Sequence, residues 1–248
     1  MVKGLNIFRK YFKEYENQYV LIGGAACDIV FESNDTSFRA TRDLDMVLIV
    51  EALTPEFGEK FWEFIQDGKY RNKASSEGKP QFYRFDKPEN ESFPKMMELF
   101  CRSDFELREM DGITPVHIDD TVSSLSAILL DDDYYSMLLE GKSIANGLSV
   151  LRPEYLILFK AKAYLDLKQR KTNGEIADSN DIKKHKKDVL RISAELMLER
   201  VTNLPATVKA DIDAFIESLE NEPFDANSLK NYGLKNQEVI EALKRVFD

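Results

Sequence analysis

Apolar residues recur at helical spacing through Leu5, Phe8, Tyr11, Phe12 and Tyr15, which predicts a short amphipathic helix over 5–17. The unbroken apolar run Tyr19-Val20-Leu21-Ile22 predicts a buried strand, closed by Gly23-Gly24. A helix over 25–31 follows, starting on Gly24, and the polar stretch 33–42 reads as a loop. Residues 44–50 are apolar on both faces and predict a central strand. Thr54-Pro55-Glu56 opens a helix that runs to about Gln66 and stops near Gly68. Strands are predicted over 81–86 and 95–101, joined by a polar connection, and again over 116–118 and 124–130, the last ending at Asp131-Asp132-Asp133. Asn146-Gly147, between Ile144 and Leu148-Ser149-Val150, predicts a hairpin turn.

After Leu151 the strand signals vanish. Helices are predicted over 154–169, 181–200, 206–220 and 236–247, with a polar break at 171–175. The chain therefore divides into an α/β (α+β) domain with a mixed sheet over 1–151 and an all-helical domain over 152–248.

Candidate chemistry sits at the head of the central strand. Asp43 and Asp45 lie one residue apart, so an extended strand aims both at one point. Two carboxylates on one face repel unless a cation lies between them. A glycine pair lets backbone N–H groups approach a phosphate without Cβ interference. Together the pieces outline a phosphoryl or nucleotidyl transferase. Glu98, inside the apolar run Met96-Met97-Glu98-Leu99-Phe100, is the candidate third carboxylate, because a buried Glu is costly unless paired or metal-bound.

The ordered set of strand, Gly23-Gly24, helix, Arg39-Ala40-Thr41-Arg42-Asp43-Leu44-Asp45 and strand resembles the nucleotidyltransferase fold. Within that fold the resemblance is to the AbiEii-type abortive-infection toxins. It covers the first fifty residues closely, and a second block from Pro153 to Arg191 is also similar. The resemblance implies that Asp43 and Asp45 hold Mg²⁺ (or Mn²⁺), with Glu98 as general base or metal ligand. It implies a nucleoside triphosphate bound by Gly23, Gly24, Arg39 and Thr41, and by Lys160, Lys162, Lys184 and Asp188 of the helical half. Asn180 stands where many relatives carry a lysine. A Lys160 head in solvent would make its removal mild for stability. The implied reaction moves a nucleoside monophosphate to an acceptor hydroxyl on RNA (tRNA) or protein, in a toxin–antitoxin or phage-defence setting with a cognate antitoxin. The alternatives are a catalytically silent nucleotide-binding or protein-interaction module of the same fold, or a small-molecule, antibiotic-type nucleotidyltransferase.

Composition narrows the picture further. A net charge of −10 argues against a protein whose main task is to hold duplex DNA. The local exception is Lys183-Lys184-His185-Lys186-Lys187, either a solvated helix face or a phosphate- or RNA-facing patch. Only two histidines, His117 and His185, leave little room for a zinc site or for Ser-His-Asp chemistry. Cys27 and Cys101 lie in apolar surroundings that suit a reduced, cytoplasmic interior. No run approaches the ~20 apolar residues of a membrane helix, and 1–10 lack a secretory-type apolar core.

Overall fold

The computed structural model describes residues 2–70, 82–100, 116–117 and 131–248. The expected strand over 124–130 and Cys101 lie outside these residues. Among the described residues, 2–70, 82–100, 116–117 and 142–151 form one compact unit, and 131–141 with 152–248 form a second.

The first unit is built on a mixed sheet. Its elements are α1 (Leu5–Phe12), β1 (Tyr19–Ile22), α2 (Gly23–Glu32), β2 (Asp43–Leu48), α3 (Pro55–Gly68), β3 (Phe82–Asp86), β4 (Met96–Phe100), β5 (Val116–His117), β6 (Lys142–Ala145) and β7 (Leu148–Leu151). Among the described residues, seven strands run in the order β5-β3-β4-β2-β1-β7-β6. β2 is parallel to β4 and antiparallel to β1; β1 is parallel to β7. The central strand β2 alternates only at its head, where Asp43 and Asp45 are half-buried and Leu44 and Met46, on the other face, are buried; Val47 and Leu48, on opposite faces, are both buried.

Aromatic side chains fill the core beneath the helices. Phe8 and Phe12 of α1 meet Phe57, Phe61 and Phe64 of α3, and Phe61 reaches Phe85 of β3 with ring centroids 5.4 Å apart. α3 begins where Thr54 accepts the Phe57 N–H and Pro55 takes the first turn. α2 packs against β1, β2 and β7. Asn146 and Gly147, at φ 50° and 70°, turn β6 into β7 as the sequence predicts.

The ends of α1 and β2 differ from expectation. α1 ends at Phe12 rather than 17, because Tyr15 N–H bonds to Phe12 and Gln18 N–H to Tyr15, tightening the chain into turns that feed β1. Tyr15 still packs on Phe57. β2 ends at Leu48, and Val50–Ala52 forms a single 3₁₀ turn.

The second unit is helical: α4 (Asp132–Glu140), α5 (Pro153–Thr172), α6 (Ser179–Glu195), α7 (Ala206–Asn221), α8 (Ala226–Tyr232) and α9 (Asn236–Phe247). α5 packs against α4, α6 and α7, and α9 packs against α6 and α7. Ten of α5's residues from Glu154 to Tyr164 are buried, so α5 is the unit's central helix. α6 stops at Glu195 rather than 200, where Leu196 turns extended and Glu199 N–H reaches the buried Glu154 carboxylate at 2.6 Å. α4 and α8 have no counterpart in the sequence reading. No helix of the described residues is long and apolar enough to cross a membrane.

Candidate active site

The turn from β1 into α2 is the first element of the site. Gly23 takes φ +64°, a left-handed conformation that L side chains disfavour. A Cβ there would also run into Oδ2 of Asp45 and stand 3.2 Å from its Cγ. At Gly24, a Cβ would stand 2.6 Å from the Thr41 hydroxyl. The two glycines and the Thr41–Asp45 segment are therefore packed backbone against side chain. Strand pairing fixes this meeting, since Ile22 lies opposite Asp45. The residue before α2 is Ile22, whose side chain cannot cap the helix. The first-turn N–H groups of a helix so begun suit an anion.

The register carries the row onward. Asp45 lies opposite Glu98, and Glu98 opposite Arg84. Asp43, two residues before Asp45, shares its face. Both aspartates are half-buried, and so is Glu98.

Glu98 carries a cation partner that sequence reasoning missed. Arg84 bonds to its Oε1 through Nε at 2.9 Å and Nη2 at 2.5 Å. The Glu98 side chain is 13% exposed and that of Arg84 40%. This ion pair explains how a carboxylate tolerates an otherwise apolar strand. The only local signal for Arg84 was its polar position among aromatics in β3; which strand it faces depends on register. Among the described residues, no group of three or more His, Cys, Asp or Glu is placed to hold a metal ion. Asp43 and Asp45 remain as a pair of oxygen donors. Mg²⁺ is commonly held by one or two carboxylates plus substrate phosphates and water, so the pair fits that ion without a third protein ligand.

Arg39 is half-buried and its guanidinium lies over the Phe38 ring, 5.1 Å from the centroid. Asp28, buried in α2, accepts the Val2 N–H at 2.6 Å and ties the start of the chain to the helix beside the glycine turn.

The helical unit holds the remaining predicted residues. Lys160 of α5 and Asp188 of α6 form an ion pair at 2.7 Å, with side chains 6% and 3% exposed. The Lys160 head is thus buried, contrary to the solvated head considered from sequence. Lys160 faces α6, where Asp188 takes its ammonium, and that is the reason. Lys162 is held by Asp166 at 3.3 Å and Asp211 at 3.1 Å. Burial alone would lower its pKa; the two carboxylates outweigh that and raise it. Asp211 also accepts from the Tyr134 hydroxyl at 3.0 Å. Lys184 is exposed on α6.

No protein-family model matches the chain, and no curated protein matches it. The chain is similar to the crystal structure of an antigenic nucleotidyltransferase-like protein from Paracoccidioides brasiliensis. The identity is 14% and the TM-score 0.46, over 98% of this chain and 91% of that one.

Proposed function

We propose that the chain is a metal-dependent nucleotidyltransferase that moves a nucleoside monophosphate from a triphosphate to an acceptor hydroxyl. One observation carries the reading: the Asp45 carboxylate rests on the Gly23 turn, with Asp43 on the same strand face. This contact supports a reading in which the two carboxylates offer oxygen donors to a divalent cation and the glycine backbone receives phosphate. Asp43 and Asp45 would hold Mg²⁺ or Mn²⁺, which when bound supplies charge neutralisation at the phosphates. The Gly23-Gly24 backbone would take the β/γ-phosphates, with Thr41 bracing the turn and Arg39 near it in sequence. Glu98, fixed by Arg84, would orient the acceptor hydroxyl and take its proton. The acceptor oxygen then bonds to the α-phosphorus as the bond to the bridging oxygen breaks, and pyrophosphate leaves.

In the helical unit, Lys184 is the proposed phosphate contact. Lys160 with Asp188, and Lys162 with its aspartates, act in this proposal as the frame of that unit. The AbiEii-like resemblance supports a toxin or phage-defence role in the cytoplasm, with an RNA (tRNA) or protein acceptor and a cognate antitoxin. A second reading, a catalytically silent nucleotide-binding module, draws on the Arg84–Glu98 pair, which already occupies the third carboxylate.

The test separates the two. The protein is incubated with Mg²⁺, tRNA or total protein, and each triphosphate labelled at the α- or the γ-phosphate. The proposal expects α-label on the acceptor and γ-label in pyrophosphate. Triphosphate binding with no transfer of either label would favour the silent module.

A further inference from the structure

The helical unit contains a cationic groove that the proposed chemistry does not use. A cavity of about 520 Å³ is lined by Lys168 and Lys171 of α5 and by Lys183 and Lys186 of α6. A second, of about 340 Å³, shares Lys183 and Lys186 and adds Lys187. The two cavities adjoin at these shared lysines, and together they are taken as one groove. Its five lysines meet two carboxylates, Glu222 and Asp225. On a chain of net charge −10, this is a local reversal of sign.

The groove is built rather than merely decorated. Lys168 pairs with Glu222 at 2.8 Å, and the Lys171 ammonium donates to the Ser179 hydroxyl at 2.6 Å, bridging the end of α5 to the start of α6. Lys186 donates to the carbonyl oxygens of Glu222 and Pro223 and lies over the rings of Tyr164 and Phe224. Burial pushes the Lys186 ammonium below its ordinary value, and Lys168 adds to that against the pull of Glu222. By count, five ammonium groups against two carboxylates leave the groove a positive excess. Lys183 and Lys187 are exposed, one helical turn apart on α6 and about 6 Å along its axis.

We infer that this groove binds the phosphate backbone of a single-stranded polynucleotide. Two adjoining cavities that share lysines suit several successive phosphates rather than one compact triphosphate. A concave furrow between helices admits a strand, whereas a membrane surface requires a flat or convex basic face. Tyr164 and Phe224 are buried beneath Lys186, so the contact is to phosphates and not to stacked bases. The inference deepens the transferase reading by giving the chain a polynucleotide partner. It stands apart from catalysis, because it is measured without triphosphate or metal.

The test uses the full chain and fluorescein-labelled 12-nucleotide RNA and DNA, titrated by fluorescence anisotropy across salt. Three net lysine–phosphate contacts predict a slope of log K against log salt of about −2 on a single strand. Lys183→Gln/Lys187→Gln removes two exposed contacts and should bring the slope to about −0.7. Lys10→Gln/Lys13→Gln makes the same change in net charge on exposed lysines of the other unit and should leave the slope unchanged. Binding of RNA alone, or of RNA and DNA alike, supports the inference and names the source of the backbone. It is overturned if neither strand binds at low salt, if the two double variants weaken binding equally, or if anionic phosphatidylserine vesicles are bound and the oligonucleotides are not.

Discussion

The carboxylate of Asp45 rests against the α-carbon of Gly23, on a turn that only glycine adopts without strain. Gly23→Ala therefore meets two penalties. The left-handed conformation costs about 1–2 kcal/mol, and the new methyl must displace Asp45. Loss of stability by chemical denaturation should accompany loss of metal binding. Gly58→Ala, in α3 with nothing within 4 Å of its Cβ, should instead be neutral or raise stability by up to ~1 kcal/mol. Equal behaviour of the two variants would show that the Gly23–Asp45 contact constrains nothing.

Lys160→Ala takes away the ammonium paired with the buried Asp188 carboxylate and should destabilise the helical unit by about 3–5 kcal/mol. Asp188→Ala should do the same in reverse. The paired replacement Lys160→Met/Asp188→Leu should be far milder than either single change. Urea titrations of the three variants check this, and additive losses in the double variant would mean the two side chains are not coupled.

Glu98 and Arg84 can be separated kinetically. Glu98→Gln should lower kcat of transfer while leaving triphosphate binding near its starting value, if Glu98 acts on the acceptor. Arg84→Gln removes only the positioning fork and should cost less. A larger loss from Arg84→Gln than from Glu98→Gln would give the guanidinium, not the carboxylate, the primary role.

Acid should loosen the helical unit through Glu222. Its carboxyl is held below the ordinary 4.5, first by the Lys168 ammonium and then, against burial, by the Tyr164 hydroxyl. A depressed carboxylate adds stability above its unfolded value and loses it as pH falls through the folded one. Glu222→Gln should thus flatten the fall in stability below about pH 4.5 and lower stability modestly at pH 7, as thermal melts across pH would record.

Much of this was legible because it is local. The run 19–22, the glycine pair, the Asn146-Gly147 hairpin and the Thr54-Pro55 helix start are each decided by neighbours in sequence. α4 was missed because Asp131-Asp132-Asp133 resembles a loop. In fact Asp131 caps the helix, accepting N–H groups of Asp133 and Tyr134, and Tyr134, Tyr135, Met137 and Leu138 bury its inner face. α8 was missed at only seven residues, although Asp225 and Gly233 mark its two ends. Arg84 against Glu98, and Lys160 against Asp188, could not be read at all. Each depends on which strand or helix lies alongside, a long-range fact that no single segment encodes.

The central claim is that Asp43 and Asp45 form one metal-dependent transfer site, and substitution of each aspartate tests it most directly. Wild type, Asp43→Asn and Asp45→Asn are compared for Mg²⁺-dependent pyrophosphate release and for transfer of α-labelled nucleotide, with circular dichroism confirming the fold of each. The account predicts transfer in the wild type, its loss on chelation, and a loss of at least a hundredfold, about 2.7 kcal/mol of barrier, in either variant with the fold intact. Full activity in a folded Asp43→Asn or Asp45→Asn protein would contradict it.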